Sequence, residues 1–503
     1  MYSQIIVLFP SIPFIAAIII LLFKYGFRMD ISTLLIKSTL GVMIAAGLFL
    51  VYCNKKYGDL LVPLSYLDYS INFIFDGVRV YFMITFLVPC FFVLFGMKGI
   101  ESLNMRVVFL FFLAGCSGIV LTGDFFNFFV FYELMIMGAY VLITINKDYF
   151  AGIRYMFIGA VSSTILLAGI ILWFAMGNYF NLTDFSSLAG VETSHAVVLL
   201  GLFIVAFIIK GGLFPACNWT AVCHAATVST VSSFLSSFTI FSGVFGIYHF
   251  VIIPAQLLKL DSVLVFLRAV SIFSILYSSF YVFYESHFKK MIAGTTVTAT
   301  SIVVLLLTNG NFKAAFTYMI IHAVYKTSLF LLYEKSITTD EIENKNTLFT
   351  DPITYILMIV FFLFTAGFFP TATYMLKSDM TGLSSTYRVL FYLSAFFIMS
   401  GLLKYKVSFK FNKPALIHFI CPVVLVFFYI CFWIEFKVKP VNIIDPVLLI
   451  ISFTLSHLLF KFTPLIHSFE KRFIFKNFNY ELFYIILLFT GVFMFFAMWH
   501  AYF

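Results

Sequence analysis

The chain has 503 residues, of which 62% are hydrophobic, 20% are aromatic and only 11% are charged. Soluble domains are about half apolar and about one quarter charged, so this composition excludes a soluble globular enzyme and indicates a polytopic membrane protein. The formal net charge of +9 comes from lysines and arginines scattered through short loops, which excludes a basic face for a nucleic-acid backbone.

Cysteine usage narrows the kinds of site that the chain can hold. The cysteines stand singly, at Cys53, Cys90, Cys116, Cys217, Cys223, Cys421 and Cys431. Without a CxxC or a mixed Cys/His spacing, haem, iron–sulfur clusters and structural zinc are not expected. The sequence also lacks a nucleophile triad and a phosphate-binding loop. We therefore expect neither a cofactor nor a metal site, and an enzymatic role at most as one part of a redox-driven complex.

Sixteen apolar segments, taken in chain order, are long enough to cross a bilayer as helices, which takes about 20 residues. They cover residues 4–23, 31–53, 79–97, 106–122, 124–145, 151–175, 195–214, 229–250, 263–284, 290–308, 313–334, 352–377, 386–404, 415–435, 443–460 and 481–502. The connection at 54–78 is predicted to be an extramembrane hairpin. Because Ile5–Phe23 is long and has no basic residue before it, we expect a spanning helix there rather than a cleaved signal.

Loop charge predicts the orientation. With the N-terminus outside, the inside loops hold more than twice as many lysines and arginines as the outside loops. Positive residues favour the cytoplasmic side. We expect a multi-pass protein of the inner or plasma membrane with its N-terminus outside.

A short motif occurs twice. Gly212-Leu-Phe-Pro215 in the seventh predicted helix matches Gly367-Phe-Phe-Pro370 in the twelfth. Proline removes a backbone donor, so both helices are predicted to be broken. The copies lie five helices apart and therefore point in opposite directions, as in inverted-repeat transporters. The predicted fold is an all-α polytopic membrane protein of about 14–16 transmembrane helices with two inverted five-helix repeats. Its predicted parts are N-terminal helices with the hairpin (1–105), a first repeat (106–250), a second, inverted repeat (251–405) and C-terminal helices (406–503).

A carboxylate near the middle of an apolar span marks the first candidate site. Glu133 lies in the stretch 122–142, where an ionised group costs about 2.5–3.5 kcal/mol. Lys210, just before the first broken motif, is the predicted partner in a switchable ion pair. Two plainer interpretations stay open: a protonated, structural Glu133, and a Lys210 that extends to the membrane surface.

Three further residues extend this candidate site. His322 and Lys326 are four residues apart and share one helix face, which favours a proton relay over packing. Lys377 lies near the outer end of its segment, so an exit site and an ordinary interfacial lysine are both open. The remaining polar residues of the apolar spans are interpreted as cap, interface or packing residues: Asp124, Arg154, Trp219, His224 and Arg268.

Several segments together resemble the antiporter-like membrane subunits of respiratory complex I, membrane-bound hydrogenases and Mrp-type Na⁺/H⁺ antiporters. The resemblance covers about residues 60–405 and is closest to the Mrp D subunit. It rests on Asp124-Phe-Phe-Asn-Phe-Phe-Val-Phe-Tyr-Glu133-Leu, Ile209-Lys210-Gly-Gly-Leu-Phe-Pro215, Trp219, His224-Ala, Val231-Ser232, Lys290-Met-Ile-Ala293 and His322-Ala-Val-Tyr-Lys326. It implies that Glu133 pairs with Lys210, that Lys377 lies at the exit, and that protons pass along a polar axis of lysines and histidines.

The sequence departs from the family in two helices of that axis. The lysine or histidine typical of helix eight is missing, and Phe241 and Ser236 occupy the aligned positions. Helix ten has Ala299 where a polar residue is common. The axis is then broken, rerouted through water or completed by a neighbouring subunit.

These features predict a proton-translocating subunit of a multisubunit Na⁺/proton antiporter. Two alternatives stay open: a proton-pumping subunit of a complex I-like NADH:quinone oxidoreductase or membrane-bound hydrogenase, and a non-conducting structural paralogue. The expected partners are other membrane subunits of a hetero-oligomer, protons, Na⁺ and the lipid bilayer, with no nucleic acid. The driving force, the coupling stoichiometry and the cation are not determined by the sequence.

Overall fold

The structure is a computed structural model. It describes residues 2–63, 71–96, 99–145, 148–176, 182, 193–336, 347–368, 371–381, 385–403, 406–409 and 416–436. Its helices are α1 (Tyr2–Leu8), α2 (Ser11–Gly26), α3 (Ser32–Tyr57), α4 (Gly77–Gly96), α5 (Leu103–Leu121), α6 (Phe125–Ile145), α7 (Tyr149–Ala175), α8 (Thr193–Lys210), α9 (Asn218–Ala226), α10 (Ser229–Phe234), α11 (Phe241–Gly246), α12 (Ile253–Leu257), α13 (Asp261–Tyr284), α14 (Phe288–Thr308), α15 (Phe312–Ser336), α16 (Pro352–Ala366), α17 (Ala372–Thr381), α18 (Ser385–Leu403) and α19 (Leu416–Phe436).

The spans confirm the predicted fold class. In the described part of the chain, 11 helices are long and apolar enough to cross a membrane, and three shorter apolar helices lie at Ser11–Gly26, Pro352–Ala366 and Leu416–Phe428. One of the long spans is a continuous helix at Ser229–Leu257 that joins α10, α11 and α12 through two π-helical segments, Leu235–Thr239 and Ile247–Ile252. The last two predicted helices, at 443–460 and 481–502, lie outside the described residues.

Polar caps explain where several spans begin. The Asp124 carboxylate accepts a hydrogen bond of 2.6 Å from the Asn127 amide, so it caps α6 as the sequence predicted. Asp351 caps α16 in the same way through the Thr354 amide at 2.9 Å. Such caps satisfy amides that the first helical turn leaves without a partner.

Two small sheets lie between spans. Strands β1 (Leu60–Pro63) and β2 (Asn72–Phe75) pair antiparallel within the 54–78 connection, and the extramembrane position predicted for this hairpin stays a prediction. This hairpin is tied to the start of α6, because the Gly123 amide donates to the Asn72 carbonyl at 2.7 Å. Strands β3 (Thr347–Thr350) and β4 (Lys406–Phe409) pair parallel, and the sequence analysis did not predict them.

Both predicted helix breaks are present. The first separates α8 from α9, and the second separates α16 from α17. At the first break, Gly212 has φ = 62° and the Leu213 amide donates to the Ile208 carbonyl at 3.0 Å. A left-handed glycine with this six-residue bond is the Schellman motif that ends many helices.

The second break repeats that geometry. Gly367 has φ = 77°, and the Phe368 amide donates to the Leu363 carbonyl at 3.0 Å. The two glycines of the repeated motif therefore end their helices in the same way. Pro370, the last residue of the second copy, lies outside the described residues, and the repeat boundaries at 106–250 and 251–405 stay predictions.

Among the described membrane spans, that of α14 is the most completely buried. Every residue of its apolar span is buried, against 94% for the span of α15 and 33% for that of α3. A span that is buried on all sides contacts protein rather than lipid. Polar side chains on α14 therefore face other helices, among them α13 and α15.

Candidate functional site

Lys210 is the last residue of α8 and is 3% exposed. Its ammonium donates a hydrogen bond of 3.0 Å to the Tyr155 hydroxyl and lies 5.4 Å from the centre of the Tyr132 ring. Burial argues against a lysine that extends to the membrane surface. The position at a helix C-terminus favours a cation, because the last carbonyls carry partial negative charge.

Glu133 does not form an ion pair with Lys210 in this structure, in which both side chains are described. The carboxylate is half-buried on α6, within electrostatic range of the lysine. The structure therefore holds an open arrangement in which Tyr155, and not Glu133, contacts the ammonium. Sequence reasoning did not identify Tyr155, since its role depends on how α7 packs against α8.

His322 is fully buried in α15, and both ring nitrogens have partners. Nε2 lies 3.2 Å from the Ser236 carbonyl oxygen, and Nδ1 lies 2.9 Å from the Tyr325 hydroxyl. A carbonyl can only accept, so Nε2 carries the hydrogen of that bond. The ring of Phe241 packs edge-on against the imidazole at 5.0 Å between centroids.

Lys326 follows one turn later and is also fully buried. Its ammonium donates to the Ile292 carbonyl and to the Thr295 hydroxyl, both on α14. Like Lys210, it makes no ion pair with any described carboxylate. His322 and Lys326 therefore lie on adjacent turns of one buried helix, as the sequence predicted, but they contact different neighbours.

Lys377 is 3% exposed, which argues against an ordinary interfacial lysine. Its ammonium donates to the Ala366 carbonyl at 3.0 Å, at the C-terminal end of α16. A Cβ atom added at Gly367 would lie 2.8 Å from Nζ, so the lysine packs directly against the second helix break. Each break thus has a buried lysine beside it: Lys210 ends the half-helix before the first break, and Lys377 reaches back from the half-helix after the second break.

Two polar residues near Lys210 and Lys326 were not predicted as site residues. His224 in α9 is fully buried, and neither ring nitrogen has a hydrogen-bond partner among the described residues. It lies close enough to Lys210, Lys326 and Lys289 to interact with all three electrostatically. Lys289, at the start of α14, donates to the Thr227 carbonyl and lies 5.9 Å from the Tyr333 ring centre. Only the packing of α9 against α7 and α14 brings these groups together.

A separate charged pair lies at the other end of the helix Ser229–Leu257. Arg79 is fully buried and contacts the Asp76 carboxylate at 2.5 Å and the Thr122 carbonyl at 2.7 Å. Burial is the largest single influence and opposes ionisation of Asp76, but the charge and hydrogen bonds of Arg79, together with His249, outweigh it and lower the pKa of the carboxyl.

The arrangement suits proton transfer better than ligand binding. Three buried lysines are solvated by hydroxyl and carbonyl oxygens, and no described carboxylate neutralises them directly. A buried amine held by neutral oxygens can gain and lose a proton, which a proton carrier must do. In the described part of the chain, no group of three or more His, Cys, Asp or Glu side chains could hold a metal ion.

A comparison with known families gives the identification. The family described as "NADH:quinone oxidoreductase/Mrp antiporter, TM" matches residues 122–403, which is more than half of the chain. The chain belongs to this family. All five candidate site residues that the sequence predicted lie inside the matched region.

Individual relatives within the family carry two different names. The N subunit of the NADH-quinone oxidoreductase of Desulforudis audaxviator is 28% identical over 240 residues, which cover 46% of this chain and 48% of the relative. The D subunit of the Na(+)/H(+) antiporter of Bacillus subtilis is 27% identical over 234 residues, which cover 44% of this chain and 46% of the relative. The chain thus spans about half the length of these curated relatives and is about equally similar to both.

Solved structures agree on the fold. A chain of the Mrp complex from Dietzia sp. superposes with a TM-score of 0.70 at 19% identity, covering 83% of this chain and 82% of that chain. A chain of respiratory complex I from Thermus thermophilus gives a TM-score of 0.72 at 19% identity, covering 90% and 99%. At this identity the similarity establishes the antiporter-like fold and leaves the activity open.

Proposed function

We propose that this chain is the proton-translocating subunit of a multisubunit Na⁺/proton antiporter. One observation supports this most strongly: three deeply buried lysines and His322 lie in the span-forming core, and none of the lysines has a direct carboxylate partner among the described residues. A fold that keeps several unpaired cations in low dielectric incurs a large cost for each of them. Proton transfer between these lysines and His322 would explain why the fold keeps them despite this cost.

In the proposed cycle, Lys210 changes partners. With the Tyr155 hydroxyl as its hydrogen-bond partner, the ammonium is poorly compensated and tends to release its proton. A closed state with Glu133 would stabilise the charged form. The break that follows Lys210, with its left-handed Gly212, leaves the lysine at a free helix end where such a movement disturbs few backbone bonds.

The remaining site residues supply the lateral path. His322 and Lys326 on α15 receive the proton from the Lys210 side, and Lys377 at the second break releases it. His224 is added to this path, because it lies within electrostatic range of Lys210 and Lys326 and its ring nitrogens have no partner in the described part of the chain. The N-terminus is placed outside in the plasma membrane on the basis of loop charge.

Partner subunits belong to the proposal. The similar solved structures are parts of complexes, including the Mrp complex from Dietzia sp.. On α6, the apolar residues Phe126, Val130 and Met137 are 51%, 46% and 56% exposed, and the half-buried Glu133 lies on the same face. An ionisable group on a lipid-facing stripe is costly, so a neighbouring subunit is the better cover for this face.

A redox-driven complex is the second candidate. The similarity to an N subunit of NADH-quinone oxidoreductase supports it as well as the similarity to an antiporter D subunit supports the first candidate. In that case the same proton path would operate, and the redox groups would lie in other subunits. The proteins encoded beside this one discriminate between the two candidates.

The decisive experiment measures cation/proton exchange in inside-out vesicles that contain this chain with its complex. Glu133→Ala and Lys210→Ala should each abolish exchange, and Glu133→Asp should retain part of it. The double alanine variant should be no worse than either single variant, because the two residues act as one unit.

Lys37→Ala is the matched control, since Lys37 is an exposed lysine within the spanning helix α3. It should leave exchange unchanged. Exchange at the unmodified rate in Glu133→Ala would refute the pair, whereas loss of exchange with Na⁺ but retention with K⁺ would correct only the cation.

A further inference from the structure

Of the two positions aligned with the lysine or histidine typical of helix eight, Phe241 and Ser236, the second carries a hydroxyl group. Ser236 is fully buried and lies in the π-helical segment Leu235–Thr239. Single π turns inside α-helices are frequent at functional sites. The segment has no ionisable side chain, so a proton that passes between Lys210 and the His322–Lys326 pair needs another carrier here.

The Ser236 side chain is bonded to a second buried hydroxyl. Its Oγ lies 2.7 Å from Oγ1 of Thr296 on α14, and Thr296 is also fully buried. Each hydroxyl has one hydrogen to donate. Whichever of the two donates, the hydrogen of the other has no acceptor among the described residues. This unsatisfied donor is costly in a protein interior unless a water molecule or a moving proton uses it.

Neighbouring hydroxyls behave differently. Ser237 donates to the Ser233 carbonyl at 2.5 Å, and Ser301 donates to the Val297 carbonyl at 2.7 Å. These bonds to the preceding turn satisfy the hydroxyl within its own helix. Ser236 and Thr296 instead bond across the gap between two helices.

The pair lies between the two parts of the proposed path. The Ser236 carbonyl oxygen is the partner of His322 Nε2 at 3.2 Å. Thr295, the neighbour of Thr296 in α14, accepts a hydrogen bond from Lys326. The Ser236–Thr296 pair therefore adjoins both residues of the relay on α15.

The other side of the pair leads toward Lys210. Thr300 lies one turn after Thr296 and donates to its carbonyl at 2.8 Å. A Cβ atom added at Gly211, the residue after Lys210, would lie 3.8 Å from the Thr300 methyl group. The face of α14 that holds Thr296 and Thr300 thus runs from Ser236 toward the end of α8. The Thr300 hydroxyl bonds within α14, so water has to carry the proton between the Ser236–Thr296 pair and Lys210.

We propose that the Ser236–Thr296 hydroxyl pair, with transient water, carries the proton between Lys210 and the His322–Lys326 pair in place of a helix-eight lysine. In each transfer one hydroxyl accepts a proton and releases its own to the next oxygen. Neither side chain changes its net charge, and both hydroxyls then rotate back. This inference rests on the proposed proton-translocating function and assigns a step within it.

The test uses Ser236→Ala and Thr296→Val in the assembled complex, with exchange measured in inside-out vesicles. Each variant removes one hydroxyl and keeps most of the side-chain volume. Exchange should fall on the order of a hundredfold, the lower end of what a positioned proton-transfer group contributes. Thr296→Ser restores a hydroxyl at the same position and should return most of the exchange.

Ser237→Ala and Ser301→Ala are the matched controls, because their hydroxyls bond only within their own helices. Both should exchange at the unmodified rate, and all variants should reach the membrane at normal levels. Unmodified exchange in the Ser236→Ala/Thr296→Val double variant would overturn the hydroxyl step while leaving the proposed function intact, provided that Lys210→Ala still abolishes exchange. Thr296→Ser as inactive as Thr296→Val would also overturn it.

Discussion

The candidate lysines differ in what surrounds each ammonium. Lys210 contacts a tyrosine hydroxyl, Lys326 contacts a threonine hydroxyl and a carbonyl, and Lys377 contacts the carbonyl at a helix end. None of these oxygens carries a full charge. The lysines are therefore held in place without being neutralised, and movement of Glu133 would change the charge balance at Lys210 alone.

Substitution of His224 tests whether this residue carries protons or only packs. Its two ring nitrogens, unpartnered within the described residues, each cost about 1–3 kcal/mol if the residue only packs. The imidazole packs between two aromatic rings: its centroid lies 6.2 Å from that of Phe330 and 6.3 Å from that of Trp219. A phenylalanine ring therefore suits the site. We expect His224→Phe to keep or raise the thermal midpoint in detergent and to lower proton exchange several-fold.

His195→Phe, at an exposed histidine in α8, is the control for that substitution and should leave exchange unchanged. A His224→Phe variant that loses stability but exchanges normally would show that His224 is a packing residue.

The two broken helices end in the same Schellman motif, but their lysines are placed differently. Lys210 belongs to the half-helix that ends at the first break, whereas Lys377 comes from the half-helix that follows the second break. Lys210 is the last residue of its helix, and the Lys377 ammonium contacts the Ala366 carbonyl at the end of α16, so both lie at a helix C-terminus, where a positive charge is favoured. The motif therefore positions a cation near each break.

Gly212→Ala tests the motif. Alanine at φ = 62° is strained by about 1–2 kcal/mol, and its Cβ would lie only 2.6 Å from Thr220 Cγ2. We expect a lower thermal midpoint and reduced exchange.

Gly310→Ala is the matched control, because Gly310 has φ = 78° but open space around its Cβ position. The Gly310→Ala variant carries the conformational strain without the clash. It should lower the thermal midpoint less than Gly212→Ala does and leave exchange unchanged. Equal losses in the two variants would show that packing at the break contributes nothing.

For the whole molecule, burial is uneven in a way that bears on assembly. The spans of α14 and α15 are almost completely buried, whereas only 33% and 44% of the residues in the spans of α3 and α6 are buried. The face of α6 that carries Glu133 is an exposed face with an ionisable group. A partner there would complete the environment of the carboxylate.

We therefore expect purification in mild detergent to yield a hetero-oligomer. Met137→Trp on the α6 face should weaken co-purification of the partner, since a larger side chain disturbs a packed interface. Val42→Trp on α3, at a residue that is 51% exposed, is the control and should not. Complete exchange by the isolated chain in liposomes would contradict this expectation.

Local signals in the sequence predicted most of the secondary structure. Apolar runs of about 20 residues located the described spans, Asp124 located a helix start, and the Gly212–Pro215 motif located a break. These features depend on residues that are neighbours along the chain. The motifs around Glu133 and Lys210 also indicated the family that the comparison then established. The functional roles of the five predicted site residues stay predictions.

Only the tertiary structure decided which groups touch. Lys210 contacts Tyr155, which is 55 residues away, and Ser236 contacts Thr296, which is 60 residues away. Such contacts depend on the rotation and depth of separately formed helices, and hydropathy carries no information on either. For the same reason, the sequence left open whether Lys377 is interfacial, while packing against Gly367 buries it. Composition thus determined that this protein spans a membrane, and helix packing determined which of its polar residues meet inside.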